Sequence, residues 1–591
     1  MSGLEIPAFI VGLSGLISVV EKPLTIWKSL AEAKAFGADM TGIVAQLSME
    51  YYRFFAWCRV SGALQENTGD ANPNLPSDAE LSFNNNASLS LEAPIESAIA
   101  RIIDILTEVT EISNKYRDSD TSSVNPTTRK PNTSVAHALS TVLPLVGAKH
   151  NSGLVSKLVQ QRQAANVLQE KTSFRLRFTF GSKPWGESDK VALNEKVQKL
   201  CYWNDRLERI IPGTIRSTLS SQALPAHMLA DENQKILDTL IEASQNDKVS
   251  VRTHGKLWQE RLKFEKGVSI NASDWEKYRR TNSSIDEIEG FGKSTCSVTL
   301  KLFKDGQKPP YICVVEWYSY GTLDWTNDDV QIATSRIAGL VHMSSQPEIP
   351  QSLRILKGLC FVETSDAVGL VCKIPDAANH SKQPVSLSSL MRKETQVATG
   401  FKRPSLERRL QLAQDLASAI YSFGLIRWFH KDFNSQNVVF FRDKAEPAAI
   451  LFDSPYIAGF SIARPDTAAQ KSLDVNREAQ AIYMHPDLRR REPNDRPRYH
   501  RKYEMYSLGL VLCEIAMWAT IDRMASSMLE PEAFKSKITK ICEEDMGFFV
   551  PRRYCDLVVR CLKCADDADE AASSLDTLYW SVVLELAKCR Y

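Results

Sequence analysis

Net charge is the first thing this sequence lacks. Its 72 Lys and Arg are balanced by 71 Asp and Glu, which leaves +1 over 591 residues. A surface with no excess of either sign does not attract nucleic acid or anionic membrane as a whole, so such contacts have to come from local patches. No nucleic-acid partner is expected. The 12 cysteines show no regular framework of close spacings, which fits reduced cytosolic thiols better than disulfides. The one close pair, Cys561 and Cys564, continues a helical pattern with Leu557, Val558 and Leu562 and reads as core packing rather than metal ligation. No metal site is expected. A long apolar run is also missing: the uncharged stretch from Ile6 to Val20 closes at Glu21 and Lys22, short of the roughly 20 residues of a permanent span. Met1 to Glu5 carries no Lys or Arg, unlike the basic start of a signal peptide. The expected location is cytoplasmic.

What is present begins with helical periodicity. Phe9, Ile10, Leu13, Leu16, Ile17 and Val20 share one helical face, with Gly12, Gly15 and Ser18 towards the other. Such a helix packs in a bundle by default. Its short supply of polar groups also suits it to lie in or enter a bilayer once released. Further stripes run through Ile43, Val44, Leu47, Tyr51, Phe54 and Phe55, through Ile99, Ile102, Leu106, Val109 and Ile112, and through Val197, Leu200, Asn204, Leu207, Ile210 and Ile211. Between them, residues 65–94 and 119–134 are rich in Asn, Ser, Thr and Pro and read as loops. An all-α bundle over 1–223 is expected, with no catalytic constellation.

The opening apolar helix, the segment from Met49 to Gly62, and the later Phe174 to Phe178 and Tyr202 to Leu207 resemble the fungal HeLo, or prion-inhibition and propagation, domain. The resemblance implies a membrane-damaging helical module of programmed cell death and heterokaryon incompatibility whose first helix enters the membrane on activation. Here no short amyloid segment follows, so prion behaviour is not carried over.

Residues 224–285 read as connecting helices and linker. Two β-rich runs then follow, Cys296 to Phe303 and Tyr311 to Tyr318, joined by a hairpin signal at Lys304-Asp305-Gly306-Gln307. Further on, His430, Asp432 and Asn437 occupy the three places of the H-R-D-L-x-x-x-N loop, preceded by a helical stripe from Leu406 to Phe423 and followed by the apolar run from Val438 to Phe441. The order of helix, loop and strand resembles the protein kinases. That implies a C-terminal α+β bilobal kinase-like fold, with a small lobe over 286–375 and a large lobe over 376–591.

The chemistry of that family is incompletely carried. Gly459, Phe460 and Ser461 stand where D-F-G belongs, so the metal-binding Asp is missing. The strand that should deliver a Lys to the phosphates offers Glu316 or Tyr318, and the next helical stretch, from Asn327 to Met343, contains no Glu. Gly290 and Gly292 preserve only the first two glycines of a phosphate loop, and a lone pair of this kind is more often a turn. Asp432 and Asn437 are remnants of the catalytic loop. Asp453 is a remote substitute for a metal ligand, and its context favours a structural role.

The combined expectation is multidomain. A membrane-targeting cell-death or incompatibility effector is restrained by a pseudokinase, in a plan similar to the mixed lineage kinase domain-like executioners of necroptosis. Expected partners are membrane lipids on activation, further copies of the chain and an upstream protein activator, with movement to the plasma membrane. No cofactor is expected. ATP and magnesium enter only under the alternative reading of an atypical active kinase, and a non-enzymatic scaffold is the third. Ser461, Thr467 and Ser472 are candidate regulatory sites. The basic run Arg489, Arg490, Arg491, Arg496, Arg498, Arg501 and Lys502 is a candidate lipid contact, interrupted by Glu492, Asp495 and Glu504.

Overall fold

The computed structural model describes residues 38–60, 97–112 in part, 187–211, 252–259 in part, 275–288, 297–304, 309–320, 326–466, 478–489, 497–564 and 572–589, give or take isolated positions. The face from Phe9 to Val20, Gly290, Gly292, Phe174 to Phe178, the two polar stretches, the hairpin turn and Thr467 and Ser472 lie outside the described residues. Two compact units divide the chain, Met1–Arg252 and Thr253–Tyr591.

In the first unit, α1 (Ala38–Val60) and α2 (Glu187–Ile210) pack together. Leu47, Tyr51 and Phe54 of α1 are buried, as are Leu193, Val197, Leu200, Asn204 and Leu207 of α2, at the spacing of three and four that aligns side chains along one helical face. Ile99, Ile102, Leu106 and Val109 bury a third helical face, and Glu108 pairs with Lys196 of α2. Polar groups fix the register of α1 on α2. The Trp57 indole donates to the Leu207 carbonyl at 2.9 Å, and the Asn204 amide donates to both the carbonyl and the carboxylate of Glu50 at 2.8 Å. Arg53 gathers Glu50, Asp205 and Glu208 at 3.0, 2.7 and 2.9 Å. Burial opposes the Arg53 charge, but the carboxylates outweigh it and hold its pKa above the usual value. Burial raises that of Glu50.

The second unit opens with a six-stranded sheet in the order β1-β5-β6-β4-β3-β2. Its strands are β1 (Arg279–Thr281), β2 (Ile285–Asp286), β3 (Val298–Phe303), β4 (Tyr311–Ser319), β5 (Gly358–Glu363) and β6 (Ala367–Lys373). All neighbours are antiparallel except β1 and β5. Alternation along β4 sends Cys313 and Val315 into a cluster with Phe303, Cys360, Val362 and Val371 on one face. Val314 and Glu316 therefore point to the other. Helix α3 (Asn327–Ser344), started by a reciprocal Thr326 and Asp329 capping box, packs on β5 and β6.

The rest of the unit is mainly helical. It contains α4 (Leu406–Leu425), α5 (Arg501–Met517), α6 (Pro531–Glu544), α7 (Arg552–Lys563) and α8 (Ala572–Lys588). Every residue of α5 from Tyr503 to Ala516 is buried, including Glu504 and Glu514, so neighbours surround this helix on all sides. Cys561 and Cys564 are buried at the end of α7, and the described cysteines are free thiols. Short ladders complete the layer: β7 (Val385–Ser386), β9 (Val438–Phe440) and β10 (Tyr456–Ile457) form one, and β8 (Trp428–Phe429) pairs with β11 (Arg464–Pro465) in another. Among the described residues no helix is long and apolar enough to cross a membrane.

Candidate functional site

The loop from His430 to Asn437 hangs between β8 and β9, whose buried aromatic and β-branched residues fix its two ends. Its backbone rests on α5. One Glu504 oxygen accepts the amides of His430 and Lys431 at 2.5 and 3.0 Å, which holds Lys431 at a φ of 67°. Burial pushes the Glu504 carboxyl up to about 7, against the pull of those two amides. His430 donates through Nε2 to the Ala458 carbonyl at 2.9 Å, while its Nδ1 accepts the Asp432 amide at 3.3 Å. Burial pushes its pKa down to about 4, so the ring is neutral.

Asp432 and Asn437 meet directly. The Asn437 amide donates to the Asp432 carbonyl at 2.8 Å and to its Oδ2 at 3.1 Å, and Asn434 donates to Oδ1 at 2.9 Å. Both carboxylate oxygens thus accept amide protons from within the loop. Gly459 lies beside them. A Cβ at this position would overlap the Asn437 side chain, and the Gly459 φ of 91° lies in the left-handed region that favours glycine. An Asp at 459, where the kinase motif would put one, has no room here, because Asn437 fills the space its side chain would need.

Glu316 stands on β4 facing this loop. It is 4% exposed, and its Oε1 accepts the Gly459 amide at 2.5 Å. It lines a narrow crevice of about 20 Å³ together with Val298, Val314, Leu340, Leu370, Ile457 and Phe460. Apart from Glu316 and Ser344, whose hydroxyl donates to the Leu340 carbonyl at 2.6 Å, its walls are apolar. A carboxyl group here accepts a backbone N–H where a lysine would donate. Among the described residues no three His, Cys, Asp or Glu side chains converge on a possible metal position.

Other sequence candidates fall elsewhere. The Asp453 carboxylate is on the surface, paired with Arg408 at 3.0 and 3.1 Å. Ser461 is 6% exposed, which corrects its reading as an accessible regulatory site, since a modifying enzyme cannot reach a buried hydroxyl. The basic run does not form one open patch over its described residues. Arg489 stacks on Phe534 at 5.7 Å, and Arg501 turns inward to the Gly424 carbonyl. Sequence reasoning missed a buried relay in which Ser435 meets the Tyr483 hydroxyl at 2.9 Å and Tyr483 donates to Glu514 at 2.6 Å. Burial pushes Glu514, like Glu504, up to about 7.

Comparison with known proteins divides the chain in a similar way. Residues 363–587 match a model described as a domain of unknown function, DUF7580. No curated protein matches the chain. Residues 9–240 match the HeLo family model, described as prion-inhibition and propagation, so the N-terminal part of this chain is similar to the HeLo domains.

Proposed function

We propose that this protein is a membrane-directed effector of cell death or incompatibility, in which the N-terminal helices act on lipid and the second unit is a catalytically inert, kinase-like restraint. The HeLo match over 9–240 carries the first half, because that family is associated with such effectors. The apolar face of Phe9, Ile10, Leu13, Leu16, Ile17 and Val20 is its membrane-active element.

The inert character of the second unit is supported by the way its loop is occupied. Phosphoryl transfer depends on positioning and on neutralising phosphate charge with a Lys and metal ions. Glu316 puts a hydrogen-bond acceptor where a lysine would be needed, and Asn437 fills the room beside Gly459. Asp432 and Asn437 bond each other. The lipid-directed half is tested with anionic liposomes. Residues 1–223 should release trapped dye, the double substitution Leu13→Glu and Leu16→Glu should stop release, and the full chain should release less. A fragment that neither binds nor permeabilises such liposomes defeats the proposal and leaves an interaction scaffold.

A further inference from the structure

The crevice is held shut by the chain itself. Three successive amides at its floor go to three different elements: Ile457 to the Arg354 carbonyl at 2.7 Å, Ala458 to the Asn437 carbonyl at 2.9 Å, and Gly459 to Glu316 at 2.5 Å. The first two bonds are between backbones. The third ties the sheet to the loop through one side chain, across 143 residues of sequence.

A second side chain does the same at the outer strand. Strand β2 covers only Phe303 and Leu302 of β3, and beyond it the Leu300 amide donates to Gln383 Oε1 at 2.9 Å. Gln383 belongs to a segment anchored in the helical layer, where Asn379 donates to the Arg442 carbonyl at 2.8 Å and Lys444 donates to that of Ala377 at 2.9 Å. Thus Glu316 reaches from sheet to helical layer, and Gln383 reaches back.

We propose that Glu316 and Gln383 form an internal clamp that holds the sheet closed over the helical layer without any ligand, and that release of Glu316 from Gly459 is the step that opens the crevice. A buried carboxyl group is tolerated only when hydrogen-bonded, and an acceptor lost from a buried amide leaves that amide costly to bury. Opening gives up the bond at the Gly459 amide, so the closed arrangement is the resting one. Glu316 is a positioning residue. The clamp does not depend on whether the N-terminal helices reach lipid, and its failure would leave that reading untouched.

Hydrogen exchange on the full-length protein tests it, followed in peptides covering 457–462 and 298–303. Glu316→Ala should speed exchange at 457–462 by about tenfold or more, whereas Glu316→Gln, which keeps an acceptor oxygen, should stay near wild type. Gln383→Ala should speed exchange at 298–303. Mg-ATP at millimolar concentration should change neither peptide in the wild type. Unaltered exchange in Glu316→Ala, or added protection of the wild type by Mg-ATP, overturns the clamp. If Glu316→Ala does not fold, Gln383→Ala decides, because its half-buried side chain can be lost without emptying a core, and unaltered exchange at 298–303 then overturns the clamp.

Discussion

The Asn437 side chain donates to Asp432 twice, at 2.8 Å to its carbonyl and at 3.1 Å to its carboxylate, and so spends on its neighbour the amide that also blocks position 459. Position 459 therefore has no room for a side chain while Asn437 keeps this bond.

An Asp introduced at 459 should destabilise the loop. Gly459→Asp puts a Cβ into Asn437 and a side chain at a φ of 91°, and is expected to lower stability by about 3 kcal/mol in denaturant unfolding. Neither the variant nor the wild type should melt higher with Mg-ATP. Binding at 100 times Kd would add about 2.7 kcal/mol, so a Mg-dependent rise in melting temperature in the variant sinks this account.

Stability should fall with rising pH through Glu504. Its pKa moves from 4.5 to about 7 on folding, so the folded state holds the proton more tightly. The resulting stabilisation is complete below the unfolded value and is lost as pH climbs to about 7. Glu514 follows the same sign, whereas His430, lowered from 6.5 to about 4, works against both as pH falls through that range. The diagnostic is a difference. The advantage of wild type over Glu504→Gln should shrink by on the order of 2 kcal/mol between pH 5 and 7.5, and a difference independent of pH contradicts it.

In the first unit, Arg53→Met leaves Glu50 and Glu208 without their cation in a mostly buried setting. A loss of about 3 kcal/mol is expected in chemical denaturation. Arg206→Ala, which only removes a guanidinium from the rings of Tyr202 and Trp203, should cost less than about 1 kcal/mol. Equal costs for the two would show that the Arg53 network contributes no more than surface stacking does.

Tyr483→Phe removes the hydroxyl between Ser435 and Glu514 and leaves the carboxylate with the Ile521 amide at 2.8 Å. Such a loss should cost about 2 kcal/mol in the same measurement. A change below about 0.5 kcal/mol would indicate that water replaces the hydroxyl.

Much of the second unit could be read from pattern. The runs ending at Phe303 and beginning at Tyr311 are strands, the stretch from Asn327 is a helix, and the stripe from Leu406 leads to the loop at His430 as expected. Those signals are local, since apolar period alone selects the element. Strand β1 was not legible, because Arg-Arg-Thr carries little strand preference and exists through its parallel register on Phe361, Val362 and Glu363. Glu316 was visible only as a missing lysine. Its bond to Gly459 joins residues with no sequence relation, and so does that of Gln383 to Leu300.

Strand β1 has a further effect. It lies along the outer edge of β5 and offers two arginines and a threonine, with Arg279 paired to Glu363 at 3.1 Å. At the opposite edge β2 presents Asp286, paired with Lys304. Charged, very short edge strands are poor templates for another chain to extend. Over its described residues this sheet therefore offers a second chain little edge to extend at either rim.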